Sequence, residues 1–459
     1  MAAPSYTVDI VDSSNVSAPA GSVPTTSLPL SYLDLSLIPI APMQCLFFYE
    51  FPHPTSHFMQ TKLPILKHSL SLTLQYFFPL AAKLMCPPPP LEPYILYSDG
   101  SDSVPLVVAE STADVDRLVA NYPRDIKLLH PFVPELPPST MSSDGVLVLP
   151  IMAVKVTVFP NVGVCIGLAF NHVAADGSAF MHFVRCWSSL CKSNGDSTFL
   201  DDTSRRPFHN RDAFEDPNGC KEEALKSYRR WRENLGPTPT KEISSADRVC
   251  ATFVLTLAQI AKLKQWLATQ CKQLWISTFV ATFSVMWRCL VKSEENVHAG
   301  VDTLRYILFM ADCRIRTGFP LPVTYFGNCT APCIVKARKG ELMGANGILT
   351  AAEAIANKVK EMGSAALEEA QKGMSAMVEI VRSCHHIAGI SWSPKFRAYD
   401  MDFGWGRPMK IEFVHVNACG CFSFIESRDE PGGIEVSLVL TKNRMDAFIS
   451  NLAESLKPV

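Results

Sequence analysis

Residues 146–170, "VLVLPIMAVKVTVFPNVGVCIGLAF", form the longest apolar stretch of the chain, and "NHVAADG" follows at once. Pro150, Lys155, Pro160 and Asn161 interrupt the run. A membrane span needs about 20 predominantly apolar residues in succession, so this run reads as two buried strands joined by a turn. Beyond it, "SAFMHFVRCWSSLCK" returns to the three-to-four spacing of a helix.

The same alternation of strand and helix runs through the chain. "SHFMQTKLPILKHSLSLTLQYFFPLAAKL" carries helical periodicity and reads as one long helix ending near Pro79. After the break "MCPPPPLEPY" come the strand-like "YILYSDG" and "VPLVVAES". Residues 191–247 are polar and rich in turn residues, which marks a crossover linker. On its far side "VCATFVLTL" reads as a strand, and "AQIAKLKQWLATQ" and "ISTFVATFSVMWRCLVK" as helices. The chain closes on strand "IEVSLVLT" and helix "KNRMDAFISNLAESL". At 459 residues it exceeds what one core usually organises. The expectation is an α/β protein of two similar-sized mixed-sheet domains, residues 1–190 and 248–459.

Composition removes several functions. A net charge of -2 offers no basic face for nucleic acid. The opening "MAAPSYTVDIVDSSNVSAPAGSVP" lacks the basic and apolar regions of a signal peptide, and neither end carries a lipidation motif. The 15 cysteines follow no framework, and Cys329/Cys333 and Cys419/Cys421 lack the spacing of a zinc knuckle or redox pair. Free buried thiols in a reducing cytosol are expected, with no metal site.

A histidine followed four residues later by an aspartate occurs twice, as His172/Asp176 and His298/Asp302. His172 stands where the apolar strand ends, so its side chain can project from a sheet rim into a cleft, while the turn sends Asp176 elsewhere, toward a helix cap and an ion pair. From spacing and context two readings stand level: a catalytic histidine, or a strand-end histidine beside an ordinary helix N-cap. No strand feeds His298, whose pair reads as surface loop. His182 lies on an apolar helical face and reads as core; His385 and His386 have no partner pattern.

Asp402 to Pro408 read "DFGWGRP". "DFG" alone suggests a protein kinase, but the glycine-rich loop and HRD segment of kinases are absent. Together with "NHVAADG", the segment resembles the two marks of the plant BAHD superfamily of CoA-dependent acyltransferases, HxxxD near mid-chain and DFGWG near the end. "LPLSYLDL" and "CLFFYEFP" look like that family's opening strands, and "FFPLAAKL" like the end of its first helix. "YFGNC" (Tyr325–Cys329) is similar to the mark of the anthocyanin and flavonoid glycoside clade, whose members move malonyl, coumaroyl or caffeoyl groups. Asn171 departs from the family, which usually has a second histidine there; altered pocket polarity is the expected consequence.

The resemblance implies a chloramphenicol acetyltransferase-like fold with a channel between two domains. It implies acyl transfer from CoA to a sugar hydroxyl of a flavonoid or other phenolic glycoside by a cytoplasmic monomer. Acyl-CoA is then a co-substrate, with no permanent cofactor, metal, nucleic acid or membrane partner. His172 takes the role of general base and Asp176 that of a brace paired with an arginine, for which Arg314 in "ADCRIR" is the candidate. Asp402, Gly404, Trp405 and Gly406 support the CoA end of the channel. Ser277, Thr278, Tyr325 and Asn328 are candidate channel residues, Ser391 and Ser393 candidate oxyanion donors, and Trp392 a wall. Ser277, Thr278, Ser391 and Ser393 read equally as a helix cap and a strand end. Phe180, four residues after Asp176, leans toward an aromatic acyl pocket. Two alternatives remain: an amine, alcohol or organic acid acceptor in the same family, and a relative that binds CoA thioesters without turnover.

Overall fold

The computed structural model describes residues 6–213, 216, 219–234, 248–271, 273–294, 300–314, 321–364, 373–374, 376–377, 380, 386–414 and 420–457. His298, His385, Cys419 and the segment 235–247 therefore lie outside the described residues.

The apolar stretch forms two central strands. Met152–Phe159 and Gly163–Phe170 pair antiparallel, Met152 opposite Phe170 and Phe159 opposite Gly163. The turn between them places Asn161 at φ 63, and the Val162 amide closes back on the Phe159 carbonyl at 3.0 Å. Both lie inside a six-stranded sheet whose spatial order is 8–16, 104–111, 152–159, 163–170, 43–50 and 410–413. Every residue of Gly163–Phe170 is buried, because neighbouring strands close both edges and packed chain closes both faces. Gly167 shows how closely: a Cβ there would come within 2.3 Å of the Phe132 carbonyl oxygen.

A seven-stranded sheet takes the remaining long strands, in the order 330–338, 304–312, 387–391, 422–426, 434–441, 248–255 and 124–125. Each sheet thus borrows a strand across the boundary read from sequence. Lys410–Phe413 joins the first sheet against Phe48–Cys45, and Arg124–Asp125 joins the second against Cys250–Val249. The exchange is held by buried charge. Lys410 Nζ reaches Asn121 Oδ1 at 2.7 Å, Thr252 Oγ1 at 3.0 Å and Glu435 Oε2 at 3.4 Å, while Glu412 pairs with Arg124. The crossover segment carries the helix Cys220–Glu233, whose Tyr228 hydroxyl donates to the Pro87 carbonyl at 3.0 Å.

Two local expectations change. "LPLSYLDL" is a strand only over Thr26–Pro29; Tyr32–Leu35 form a helical turn, because Ser31 and Asp34 make a reciprocal capping box. The long helix runs from Thr55 to Tyr76 but contains a π-helical turn at Phe58–Lys62. No described helix is long and apolar enough to cross a membrane.

The DFGWG segment is a knot tied by one carboxylate. Asp402 Oδ1 accepts the amides of Gly404, Trp405 and Gly406 at 2.8, 3.1 and 2.9 Å, and Oδ2 pairs with Lys192 at 2.8 Å. Gly404 and Gly406 adopt φ of 93° and 94°, which side chains with a Cβ rarely tolerate. Trp405 packs edge-on against Tyr49 and Phe58 and stacks on Phe403. Lys192 ends the helix Gly177–Lys192, so this knot sits about 22 Å along the helix from the histidine motif at the other end. Asp402→Ala is accordingly expected to lower stability by about 1–3 kcal/mol in urea titration, while kcat per folded molecule changes by less than about tenfold.

Candidate active site

His172 lies two residues beyond the strand Gly163–Phe170 and two before the buried pair Ala174–Ala175. Asn171 shapes the exit: its amide donates to the Ile151 carbonyl at 2.7 Å and its Oδ1 accepts the Val173 amide at 3.1 Å. Asn171 is buried, and its side-chain oxygen is spent on the turn.

Asp176 turns away from the histidine and ties the turn down. Its Oδ1 caps the helix Gly177–Lys192 through the Ala179 amide at 3.0 Å. Arg314 grips the carboxylate with both terminal nitrogens, Nη1 to Oδ2 at 2.8 Å and Nη2 to Oδ1 at 3.1 Å. The Cys329 amide donates to Oδ2 at 2.9 Å. Arg314 Nη2 also reaches the Tyr325 and Gly327 carbonyls at 3.1 and 3.0 Å. The pair therefore fastens the histidine turn to the Tyr325–Cys329 loop.

From that loop Asn328 reaches the imidazole. Its Nδ2 donates to Asp34 Oδ1 at 2.8 Å and to the His172 carbonyl at 2.9 Å. Carboxylate and carbonyl oxygens accept only, so the amide orientation is fixed and Oδ1 faces His172 Nδ1 at 3.2 Å. That oxygen can only accept, so Nδ1 carries the proton and Nε2 is left with its lone pair. His172 keeps partial exposure, whereas Asn328 and Asp34 behind it are buried. Burial holds the His172 pKa below its usual value, with Asp176, Asn328 and Asp34 pulling the other way. The ring is a neutral base at neutral pH.

Asp34 was hidden in "LPLSYLDL". It is fully buried and accepts from Ser31, Asn328 and Arg211, the last through Nε at 3.0 Å. The sequence signal available was its three-residue spacing from Ser31, a capping box.

Other expected site residues lie differently. Tyr325 and Asn328 do not line a channel: each is 1% exposed, and the Tyr325 ring lies under the Arg314 guanidinium, 5.6 Å from it. Phe180 is fully buried, stacked on Phe170 at 3.7 Å, and cannot shape an acyl pocket. Ser277 caps the helix Thr278–Lys292 by accepting the Val280 amide at 3.2 Å. Ser391 ends a strand opposite Ser423, and Ser393 Oγ accepts the Lys395 amide at 3.3 Å.

Trp392 brings a buried donor to that segment. It sits at φ 70, a conformation rare for a bulky residue, and its Nε1 is buried with no partner among the described residues. The indole packs 4.0 Å from Phe413 and edge-on to Phe396, whose ring borders Gly177 beside the histidine turn. His182 donates from Nε2 to the Arg205 carbonyl at 2.9 Å, and burial pushes its pKa to about 4. No group of three metal-ligating side chains occurs among the described residues.

Residues 7–455 match the model of the transferase family. The chain is 39% identical to coumaroyl-CoA:anthocyanidin 3-O-glucoside-6''-O-coumaroyltransferase 1 of Arabidopsis thaliana, over 98% of this chain and 97% of that one. It is 36% identical to malonyl-coenzyme A:anthocyanin 3-O-glucoside-6''-O-malonyltransferase of Dahlia pinnata, over 96% and 95%. Its fold matches the crystal structure of vinorine synthase with a TM-score of 0.70 at 18% identity, over 98% of this chain and 99% of that one. Motifs, family model and fold agree, and the chain belongs to the BAHD acyltransferases of the transferase family.

Proposed function

We propose that this chain transfers an acyl group from a CoA thioester to a sugar hydroxyl of an anthocyanin or other phenolic glucoside, with His172 as general base. The observation that carries the reading is the fixed tautomer: Asn328 holds Nδ1–H, and Nε2 is free to accept a proton. The names of the relatives supply the substrate classes.

In this mechanism Nε2 removes the hydroxyl proton as the sugar oxygen attacks the thioester carbonyl. The carbonyl π electrons move to oxygen, giving a tetrahedral oxyanion. Trp392 Nε1, a buried donor with no partner among the described residues, is the candidate to stabilise that charge. Collapse breaks the carbon–sulfur bond, and the departing thiolate takes the proton back from Nε2. The imidazole ends as it began, and no covalent enzyme intermediate forms. Asp176 touches none of the reacting atoms; it keeps the histidine turn in register through Arg314.

Of the acyl classes, hydroxycinnamoyl is favoured. The buried arginines that reach the histidine turn, Arg314 and Arg211, are charge-paired with Asp176 and Asp34, so neither offers an uncompensated positive charge to a malonyl carboxylate. Coumaroyl-CoA and malonyl-CoA offered together with an anthocyanidin 3-glucoside, with amines as competing acceptors, test the assignment by product mass. Coumaroyl ester is expected; malonyl ester or amide as the main product overturns the substrate reading.

His172→Ala is expected to reduce kcat by at least about a hundredfold with little change in thermal midpoint, and retention above that level contradicts base catalysis. Asn328→Leu, which releases the tautomer, is expected to lower kcat by about tenfold or more with KM little changed. Because burial depresses the His172 pKa, activity is lost only as pH falls through a value below about 6.5, where Nε2 becomes protonated. A pH–kcat/KM profile whose acid limb lies above that value contradicts the neutral imidazole.

A further inference from the structure

The crossover segment, polar and turn-rich in sequence, delivers a buried arginine to the back of the site. Arg211 is 3% exposed. Its Nε donates to Asp34 Oδ2 at 3.0 Å and its Nη2 to the carbonyl of Ala174 at 3.1 Å. Ala174 belongs to the histidine turn, two residues after His172. Asp34 in turn accepts both the backbone amide and Nδ2 of Asn328 on Oδ1, at 3.1 and 2.8 Å. One guanidinium thus grips the turn that presents the base and the carboxylate that orients the residue behind it.

The two carboxylates nearest the ring are each held by a buried arginine, one of which, Arg314, also takes the half-exposed Asp312 through Nη1 at 3.2 Å. Asp176, on the histidine turn itself, is neutralised by Arg314 from the end of the strand Leu304–Asp312. Asp34, from the helical turn Tyr32–Leu35, is neutralised by Arg211 from the crossover. The Tyr325–Cys329 loop presents Asn328 to the ring and adds the buried Tyr325 and Cys329, whose phenol and thiol are pushed up by burial and so carry no charge. Without Arg211 the carboxylate of Asp34 would stand buried and uncompensated, one amide side chain away from the imidazole. Such a charge favours the protonated ring, which cannot act as a base.

We propose that Arg211 is a positioning residue for acyl transfer, clamping Asp34 and the Ala174 carbonyl so that the Asp34–Asn328 relay orients a neutral His172. The proposal rests on the reading of His172 as the base, and its test is kept separate from that reading. In protein labelled with 15N-histidine, the His172 signal is identified by its loss in His172→Ala and titrated directly, with no need for turnover. Arg211→Gln is expected to raise the His172 titration midpoint by about one pH unit, the scale of a single uncompensated neighbour. It should move the acid limb of kcat/KM by the same amount and lower kcat at pH 7. Asp34→Asn, which leaves Arg211 uncompensated instead, is expected to move the midpoint down. Asp34→Asn combined with Arg211→Gln should bring it back to within about a third of a unit of the wild type.

If Arg211→Gln folds and His172 titrates where it does in the wild type, the proposal is overturned and Arg211 only packs. If Arg211→Gln does not fold, Asp34→Asn alone decides, and an unmoved midpoint there overturns it equally. Turnover retained by His172→Ala defeats the base reading instead, whatever the titrations show.

Discussion

The bidentate pair between Asp176 and Arg314 is the contact on which the arrangement depends. It joins a strand-to-helix turn of the first half to a loop of the second, with both side chains 2% exposed. A buried ion pair of this kind is a weak source of net stability, because desolvation offsets most of the attraction. Its effect is geometric. Breaking it strands a charge in the interior, so the turn and the loop can dock in one register only. In that register Asn328 meets His172 Nδ1 and the Cys329 amide meets Asp176.

Around this register the protein spends buried polarity on direction. Nδ2 of Asn328 has three acceptors, the Asp34 carboxylate and the carbonyls of His172 and Val173, so its oxygen has one place to point. The helix that Asp176 begins is finished by Lys192, itself held by the Asp402 knot. The two family marks therefore fasten opposite ends of one helix. HxxxD presents His172 and its ion-paired turn at the first end; DFGWG organises an aromatic cluster of Tyr49, Phe58, Phe403 and Trp405 at the other.

Much of this was legible in the sequence, because burial writes itself as apolar runs and their interruptions. Pro160 and Asn161 marked the hairpin, and the strand ahead of Asn171 marked the rim where His172 stands. What stayed illegible has common causes. "KIEF" over Lys410–Phe413 alternates charge with apolar residues, and both charges are buried among partners from distant segments that no local pattern records. Asp34 and Arg211 pair across 177 residues, in stretches read as a strand and a linker. Phe180 sits at the right spacing for a pocket but on the helix face that turns into the core. Trp392 looked like a wall because its left-handed backbone, and the donor left unsatisfied there, belong to geometry that no residue pattern records.

The most direct test of the account is a crystal structure of the enzyme with CoA and a glucoside acceptor bound together. The acceptor hydroxyl oxygen is predicted within about 3.2 Å of His172 Nε2, with Nδ1 still held by Asn328. A hydroxyl placed against another side chain, with Nε2 facing only protein, would contradict it.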